Sequence, residues 1–323
     1  MTESHKDKFT YSLIDQVKVQ QYCATIAISK ENSQIQASCW NMIKVFQFKK
    51  ENMKQVNLIN GHNKRITFLE FYKTYTVSSD FQGSLKFWPI NRIYSQKFIW
   101  KIQAHELVIL GLAINSEQNC IISSSQDQKI KFWTEKNGWQ CSQTITDHDD
   151  TIYNLSLSEK GDKLISCSKD KQIFVIELQR NKNIKQWNIV QKIDVQKEGY
   201  RLCFISDNLF TFQQWGENFM DIYELDSTNK FVKTKSTVIQ GGIRCDCLFP
   251  QQYIKQKNLL VNKNSQSINL IRKQENNEFI TEMSIDLSTD ENIYGQMSQD
   301  GQYLITWDQE SSFLQIRKYM NIT

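Results

Sequence analysis

Three histidines, His62, His105 and His148, recur 43 residues apart, and each sits inside a longer stretch that repeats with it. The stretches read INGHNKRITFLEF...TVSSDFQGSLKFW from Ile59, IQAHELVILGLAI...IISSSQDQKIKFW from Ile102 and ITDHDDTIYNLSL...LISCSKDKQIFVI from Ile145. A period of about 20 to 50 residues decides an architecture before any single element is assigned, because a unit of that size cannot bury a core alone and must stack on its neighbours. The closing position of the unit can be followed through Phe46, Trp88, Trp133, Ile176, Tyr223, Ile271 and Ile316, at intervals of 42 to 48 residues. Seven units result, filling one domain over residues 1–323, and the last three have lost the histidine and most of the serines.

Within a unit, short apolar or alternating runs such as VILGLAI, NCIISSS, KIKFW and WQCSQTI are separated by polar turns. Period two and β-branched content predict strands, and no stripe at i, i+3, i+4, i+7 is sustained long enough for a helix. Each unit is therefore about four strands. Arranged radially, seven such sheets bury their faces against one another and leave only short outer edges exposed.

The G-H dipeptide, the S-x-S-x-D turn and the aromatic strand end resemble those of WD40 repeats. The matching positions are Gly61-His62, Ala104-His105 and Asp147-His148 at one end, and Phe87-Trp88, Phe132-Trp133 and Val175-Ile176 at the other. The likeness is strongest from Leu58 to Glu177. No unit ends in Trp-Asp, and the one such dipeptide, Trp307-Asp308, falls in the register of the preceding strand. The resemblance implies an all-β, seven-bladed WD40 propeller of four-stranded antiparallel blades, closed by residues 8–16 joining the last blade as its outer strand. It further implies that His105 bridges Ser123 and Asp127 and reaches Trp133 through the serine. His62, Ser78 and Trp88 repeat this set, with Gln82 standing at the aspartate position; His148, Ser166 and Asp170 repeat it with Ile176 in place of the tryptophan. These two networks are expected to be partly broken.

Chemistry finds little support. Three of the 4 histidines share one repeat position, which an active site would need only once. His105-Glu106-Leu107-Val108-Ile109 lacks the second histidine of a zinc-protease helix, no G-x-S-x-G elbow accompanies Asp147, His148 and Ser166, and no phosphate-binding glycine loop occurs. No catalytic residue, metal site or cofactor is expected. The 8 cysteines form no C-x-x-C pair and read as buried reduced thiols; Cys245 and Cys247, two apart, are expected on one face of a strand.

With 39 Lys+Arg against 35 Asp+Glu the net charge is +4, and the basic stretches Lys49-Lys50, Lys64-Arg65 and Arg180 to Lys185 are scattered. That balance is too mild to point to nucleic acid or a membrane surface. There is no signal-peptide pattern and no apolar run of about 18 residues, so a cytoplasmic protein is expected, with the nucleus as the other compartment. What remains is interaction. In the WD40 arrangement the histidine-bearing connection and the aspartate turn share one face, where Trp40, Arg65, Phe81, Gln126, Thr151, Lys169, Tyr200 and Trp215 would point to solvent. The expected function is a non-catalytic scaffold, monomeric on its own, docking a protein or peptide partner there. An alternative comes from Lys131 to Glu177, which is similar to the WD40 subunit of the cytosolic iron-sulfur protein assembly targeting complex, with its W-x-C before the histidine and S-C-S-x-D after it. A chromatin- or RNA-associated propeller is a third reading.

Overall fold

A computed structural model describes residues 8–90, 97–115, 119–136, 138–181 and 184–322. Residues 1–7, which include His5, and residues 182–183 of the Arg180 to Lys185 stretch lie outside the described residues. The described residues form seven four-stranded antiparallel sheets, and the helical structure among them is one 3-10 turn at Lys255–Lys257. The sheets are the blades of a propeller: blade 1 spans 26–60, blade 2 66–103, blade 3 109–145, blade 4 152–194, blade 5 199–238 and blade 6 252–286. Blade 7 takes three strands from 293–322 and its outer strand, Lys8–Lys18, from the other end of the sequence. Lys8 pairs with Ile322 and Lys18 with Phe313, so the ring has no open seam. The divergent units keep four strands each.

Sequence repeat and blade are offset by one strand. Phe46, Trp88, Trp133, Ile176, Tyr223, Ile271 and Ile316 all fall in the third strand of a blade, and in blades 1 to 6 the stretch after it pairs back as the outer strand of that same blade. The register of third and outer strands shifts just before Phe46, Trp133, Ile176, Tyr223 and Ile271. In blade 7 the shift comes one residue later, between Ile316 and Arg317. A bulge at a fixed place twists the outer edge in the same way each time. It also identifies Arg317 as the closing residue of blade 7: it pairs with Leu304 as Trp88 pairs with Thr76, and its Nη1 donates to Thr306 Oγ1 at 3.1 Å.

The core lies between blades. Ile122, Phe132, Leu155, Phe174 and Trp187 join blade 3 to blade 4, and Val19, Ile26 and Phe46 pack with Trp307, Leu314 and Ile316 where blade 7 meets blade 1. Trp307 is in the second strand of blade 7, its indole donating to the Val19 carbonyl at 3.0 Å. A ring whose apolar contacts are shared between neighbours is stabilised only when every blade is in place.

Candidate functional site

Antiparallel strands alternate direction, so the connections from outer strand to next inner strand and the turns between second and third strands emerge on one face, here the upper face. Its geometry begins with the histidine networks. In blade 3, His105 Nδ1–H donates to Asp127 at 2.9 Å, the Ser123 hydroxyl donates to Nε2 at 2.7 Å, and Trp133 Nε1–H donates to Ser123 at 2.9 Å. Burial pushes the His105 pKa down, and the ring sits neutral between its partners.

Blade 2 is as complete, contrary to the expectation from Gln82. The carboxylate comes from Asp80, two residues earlier, which takes His62 Nδ1–H at 2.7 Å while the Ser78 hydroxyl donates to Nε2 at 2.6 Å and Trp88 donates to Ser78 at 2.8 Å. Asp80 also accepts from the Ser84 hydroxyl at 2.6 Å and from the Gln82 and Ser84 amides, so Gln82 is held through its backbone. Gly83 completes the turn at φ +74°, where a Cβ would strike the His105 carbonyl. In blade 4, His148 reaches Asp170 at 2.6 Å and Ser166 at 2.8 Å, and the missing indole is replaced by Phe174, whose ring stacks on His148 with centroids 3.7 Å apart. The polar network ends at Ser166 instead of at a tryptophan.

These histidines spend both ring nitrogens inside a blade, so none of the three is presented to a substrate. Among the described residues no group of three or more His, Cys, Asp or Glu could hold a metal ion, and no helix is long and apolar enough to cross a membrane. Cys23, Cys39, Cys120, Cys167 and Cys203 are buried, whereas Cys141 is exposed. Cys245 and Cys247 lie in the connection from blade 5 to blade 6, not on a strand.

Eight residues were expected at the solvent side of this face. Trp40, Phe81 and Trp215 are 56%, 43% and 40% exposed, and Gln126 and Lys169 are exposed as well, Lys169 beside Asp150 at 3.8 Å. Tyr200 is half-buried, edge-on against Tyr153. Thr151 is not at the surface: its side chain is turned in, and its backbone carbonyl accepts from the Lys169 amide at 2.8 Å to pin the turn. Leu107 and Ile243 add exposed apolar side chains on the same face.

Thr151 and Lys169 meet through one backbone bond, and Trp40, Arg65 and Phe81 are drawn together as a group of three. The Trp40 amide donates to the Tyr22 carbonyl at 3.0 Å, the Ile66 amide to the Trp40 carbonyl at 2.8 Å and the Phe81 amide to the Arg65 carbonyl at 3.0 Å. The Arg65 guanidinium lies 4.1 Å from the Tyr22 ring centroid and 5.1 Å from that of Phe81, and donates to the Tyr22 hydroxyl at 3.1 Å. Tyr22 bonds the Tyr294 hydroxyl, which donates to Asp246 at 2.6 Å. Burial raises both tyrosines; it would raise Asp246 too, but the Tyr294 hydrogen bond and the Lys263 charge hold that carboxyl below its usual range. This chain of groups runs from the corner to the connection 239–251, whose Leu248 reaches the ring axis and, with Ile26, Glu70, Leu110, Asn154 and Gln296, leaves a cavity of about 70 Å³. A space of that size takes water, not a metabolite. Burial pushes Glu70 up to about 7 even though Gln296 donates to it at 3.0 Å.

Tyr22, Tyr294 and Asp246 were not found by sequence reasoning. One signal was available: the interval from Tyr223 to Ile271 is the longest of the six, and it holds the connection that carries Asp246.

Residues 96–134 and 139–177 match the family described as WD domain, G-beta repeat. Over 140 residues the chain is 25% identical to the CCR4-associated factor 4 homolog of Vanderwaltozyma polyspora, covering 41% of this chain and 20% of that protein. It is 22% identical over 83 residues to actin-related protein 2/3 complex subunit 1 of Schizosaccharomyces pombe, covering 25% and 22%. Against eukaryotic translation initiation factor 3 subunit I of Neurospora crassa it is 23% identical over 109 residues, covering 33% and 31%. The matched stretches thus span under a third of each of these relatives. Propellers built of such repeats generally serve as interaction scaffolds within complexes.

Proposed function

We propose that this chain, whose WD40 repeats are set in a seven-bladed propeller, is a non-catalytic scaffold that docks a protein or peptide partner on its upper face. One observation carries the reading. Trp40, Phe81, Leu107, Trp215 and Ile243 expose large apolar side chains on upper-face turns and connections of several blades, whereas among the described connections of the opposite face such side chains, Phe98 and Ile99, sit together in one, between the third and outer strands of blade 2. Large apolar and aromatic groups held in water by a rigid frame are what binding hot spots are made of. The opposite turns, such as Ser29 to Ser33 and Ser298 to Gln302, are polar.

The likeness of Lys131 to Glu177 to the iron-sulfur assembly subunit falls on residues that the networks of blades 3 and 4 already account for, so it adds no partner of its own. The test is affinity capture from the native cell with quantitative mass spectrometry, comparing the wild-type chain with the combined Trp40→Ala, Arg65→Ala, Phe81→Ala variant. The partners are expected to disappear while the circular dichroism spectrum and melting temperature stay within a few degrees of wild type. Unchanged capture by a folded variant rejects this face.

A further inference from the structure

We infer that the corner formed by Tyr22, Trp40, Arg65 and Phe81 takes an acidic peptide segment, one that sets an Asp or Glu carboxylate beside an apolar or aromatic side chain. The inference rests on the upper-face reading above and narrows it to one place and one chemistry.

The corner is built in advance of any partner. Four segments far apart in sequence are tied by the main-chain bonds already described, and Asn41 adds two more, its carbonyl accepting from the His62 amide at 3.1 Å and its amide side chain donating to the His62 carbonyl at 2.9 Å. Trp40 is held at φ +57°, a left-handed conformation that a bulky side chain rarely adopts. Its indole is more than half exposed, so the strain is not repaid by burying the ring. Strain kept by its surroundings and spent on presenting an aromatic to water is the pattern of a binding site.

Charge decides the occupant. On the same face of blades 3 and 4, three cations have their own acids and Lys171 has none among the described residues: Lys129 meets Glu106 at 3.3 Å, Lys169 meets Asp150 at 3.8 Å and Lys192 meets Asp147 at 3.6 Å. Lys64 and Arg65 form no ion pair with a carboxylate of the described residues. The nearest candidate, Asp80, is consumed by His62 and Ser84, and Asp246 is connected to Arg65 through two tyrosine hydroxyls. Arg65 is half-buried, its guanidinium held over the Tyr22 ring and near Phe81 with one donor spent on the Tyr22 hydroxyl, so a positive charge already in place at the corner can meet a carboxylate at little further entropic cost. Phe81, with its ring 5.1 Å from the guanidinium, and Trp40, tied to the same corner through its backbone, expose apolar anchors.

The experiment uses the full chain and a phage-displayed library of random dodecapeptides, with selected sequences synthesised and measured by fluorescence anisotropy. Enriched peptides are expected to pair Asp or Glu with an aromatic or leucine. Their Kd is expected to rise at least about tenfold with Arg65→Ala or Trp40→Ala, less with Arg65→Lys, and to weaken with salt. Arg65→Glu should bind a peptide whose acid has been exchanged for lysine. Circular dichroism confirms each fold, and Arg65→Lys supplies the reading where the alanine variant does not fold. The inference is overturned by selection of uncharged or basic peptides, by no enrichment, by displacement with poly(U) at equal charge, or by acidic peptides indifferent to Arg65. Peptides lost instead on Leu107→Ala or Trp215→Ala overturn this corner and leave the upper face standing; peptides indifferent to every upper-face substitution overturn both.

Discussion

Blades 3 and 6 have the same strands in the same register and bond the equivalent buried polar positions by different means. In blade 3, Ile121 faces Trp133 and Ser123 faces Lys131; in blade 6, Leu260 faces Ile271 and Asn262 faces Asn269. Asn262 therefore stands where Ser123 does, and Gln240, two residues beyond the outer strand of blade 5, stands where His105 does. The Gln240 amide donates to Asn269 Oδ1 at 2.9 Å and the Asn269 side chain returns a bond to the Gln240 carbonyl at 2.8 Å. Gln251 then donates to Asn262 at 2.8 Å and accepts from Thr211 of blade 5 at 2.8 Å. Blade 3 closes its network on itself, whereas blade 6 shares its network with blade 5. Blade 6 bonds these positions less completely, since Asn262 Nδ2 is buried without a partner among the described residues.

The sharpest way to break the contrast is His105→Ala, which strands Asp127 and Ser123 inside blade 3 and is expected to cost about 3–4 kcal/mol by urea denaturation. A cost under about 1 kcal/mol would show the network to be ornamental. Next, Ser123→Ala orphans both His105 and Trp133 and should cost about 2–3 kcal/mol, against about 1–2 kcal/mol for Ser166→Ala, which orphans His148 alone because Ile176 has no indole to lose. Equal costs would remove the distinction between complete and truncated networks.

Acid should separate the same regions. Burial lowers the pKa of His62 and His105, so their neutral forms stabilise the fold fully above about pH 6.5, and that contribution is lost as pH falls from there toward the lower folded values. Burial would raise Asp80 and Asp127, but their histidine hydrogen bonds prevail and hold both at about 2. A second loss is therefore expected between the ordinary carboxylate value and about pH 2. Melting temperature should fall by a few degrees between pH 7 and 5.5 in the wild type and less in a His62→Gln, His105→Gln variant; equal slopes would sink the assignment. Smaller still, a double-mutant cycle between Thr211→Val and Asn262→Ala should show coupling of about 0.5–1 kcal/mol, while Thr211→Val and Ser123→Ala should add. Gln82→Asp should change stability by under about 0.5 kcal/mol, since Asp80 already meets His62.

The beat of three histidines, carried on by the closing position from Phe46 to Ile316, was enough to expect seven sheets, because a period is a global constraint that survives when individual residues diverge. Its register was legible to within a residue: the closing position of the last blade is Arg317 and not Ile316, since a guanidinium can donate to Thr306 as an indole would. Gln82 misled because counting residues from the serine ignores that a side chain at the strand end, Asp80, can swing to the same ring nitrogen. Thr151 misled because a turn offers its backbone as readily as its side chain. The Tyr22, Tyr294 and Asp246 chain was invisible for a different reason: its members come from two connections and the inner strand of blade 7, and no spacing in one dimension encodes a meeting at the mouth of a ring.

The pairing of Lys8 with Ile322 has a mechanical consequence. Handles attached at those two positions would pull neighbouring ends of an antiparallel ribbon apart, loading its rungs one after another like a zipper and never all at once in shear. Optical tweezers should therefore see the ring part at its clasp under low force, with blade 7 yielding before any other.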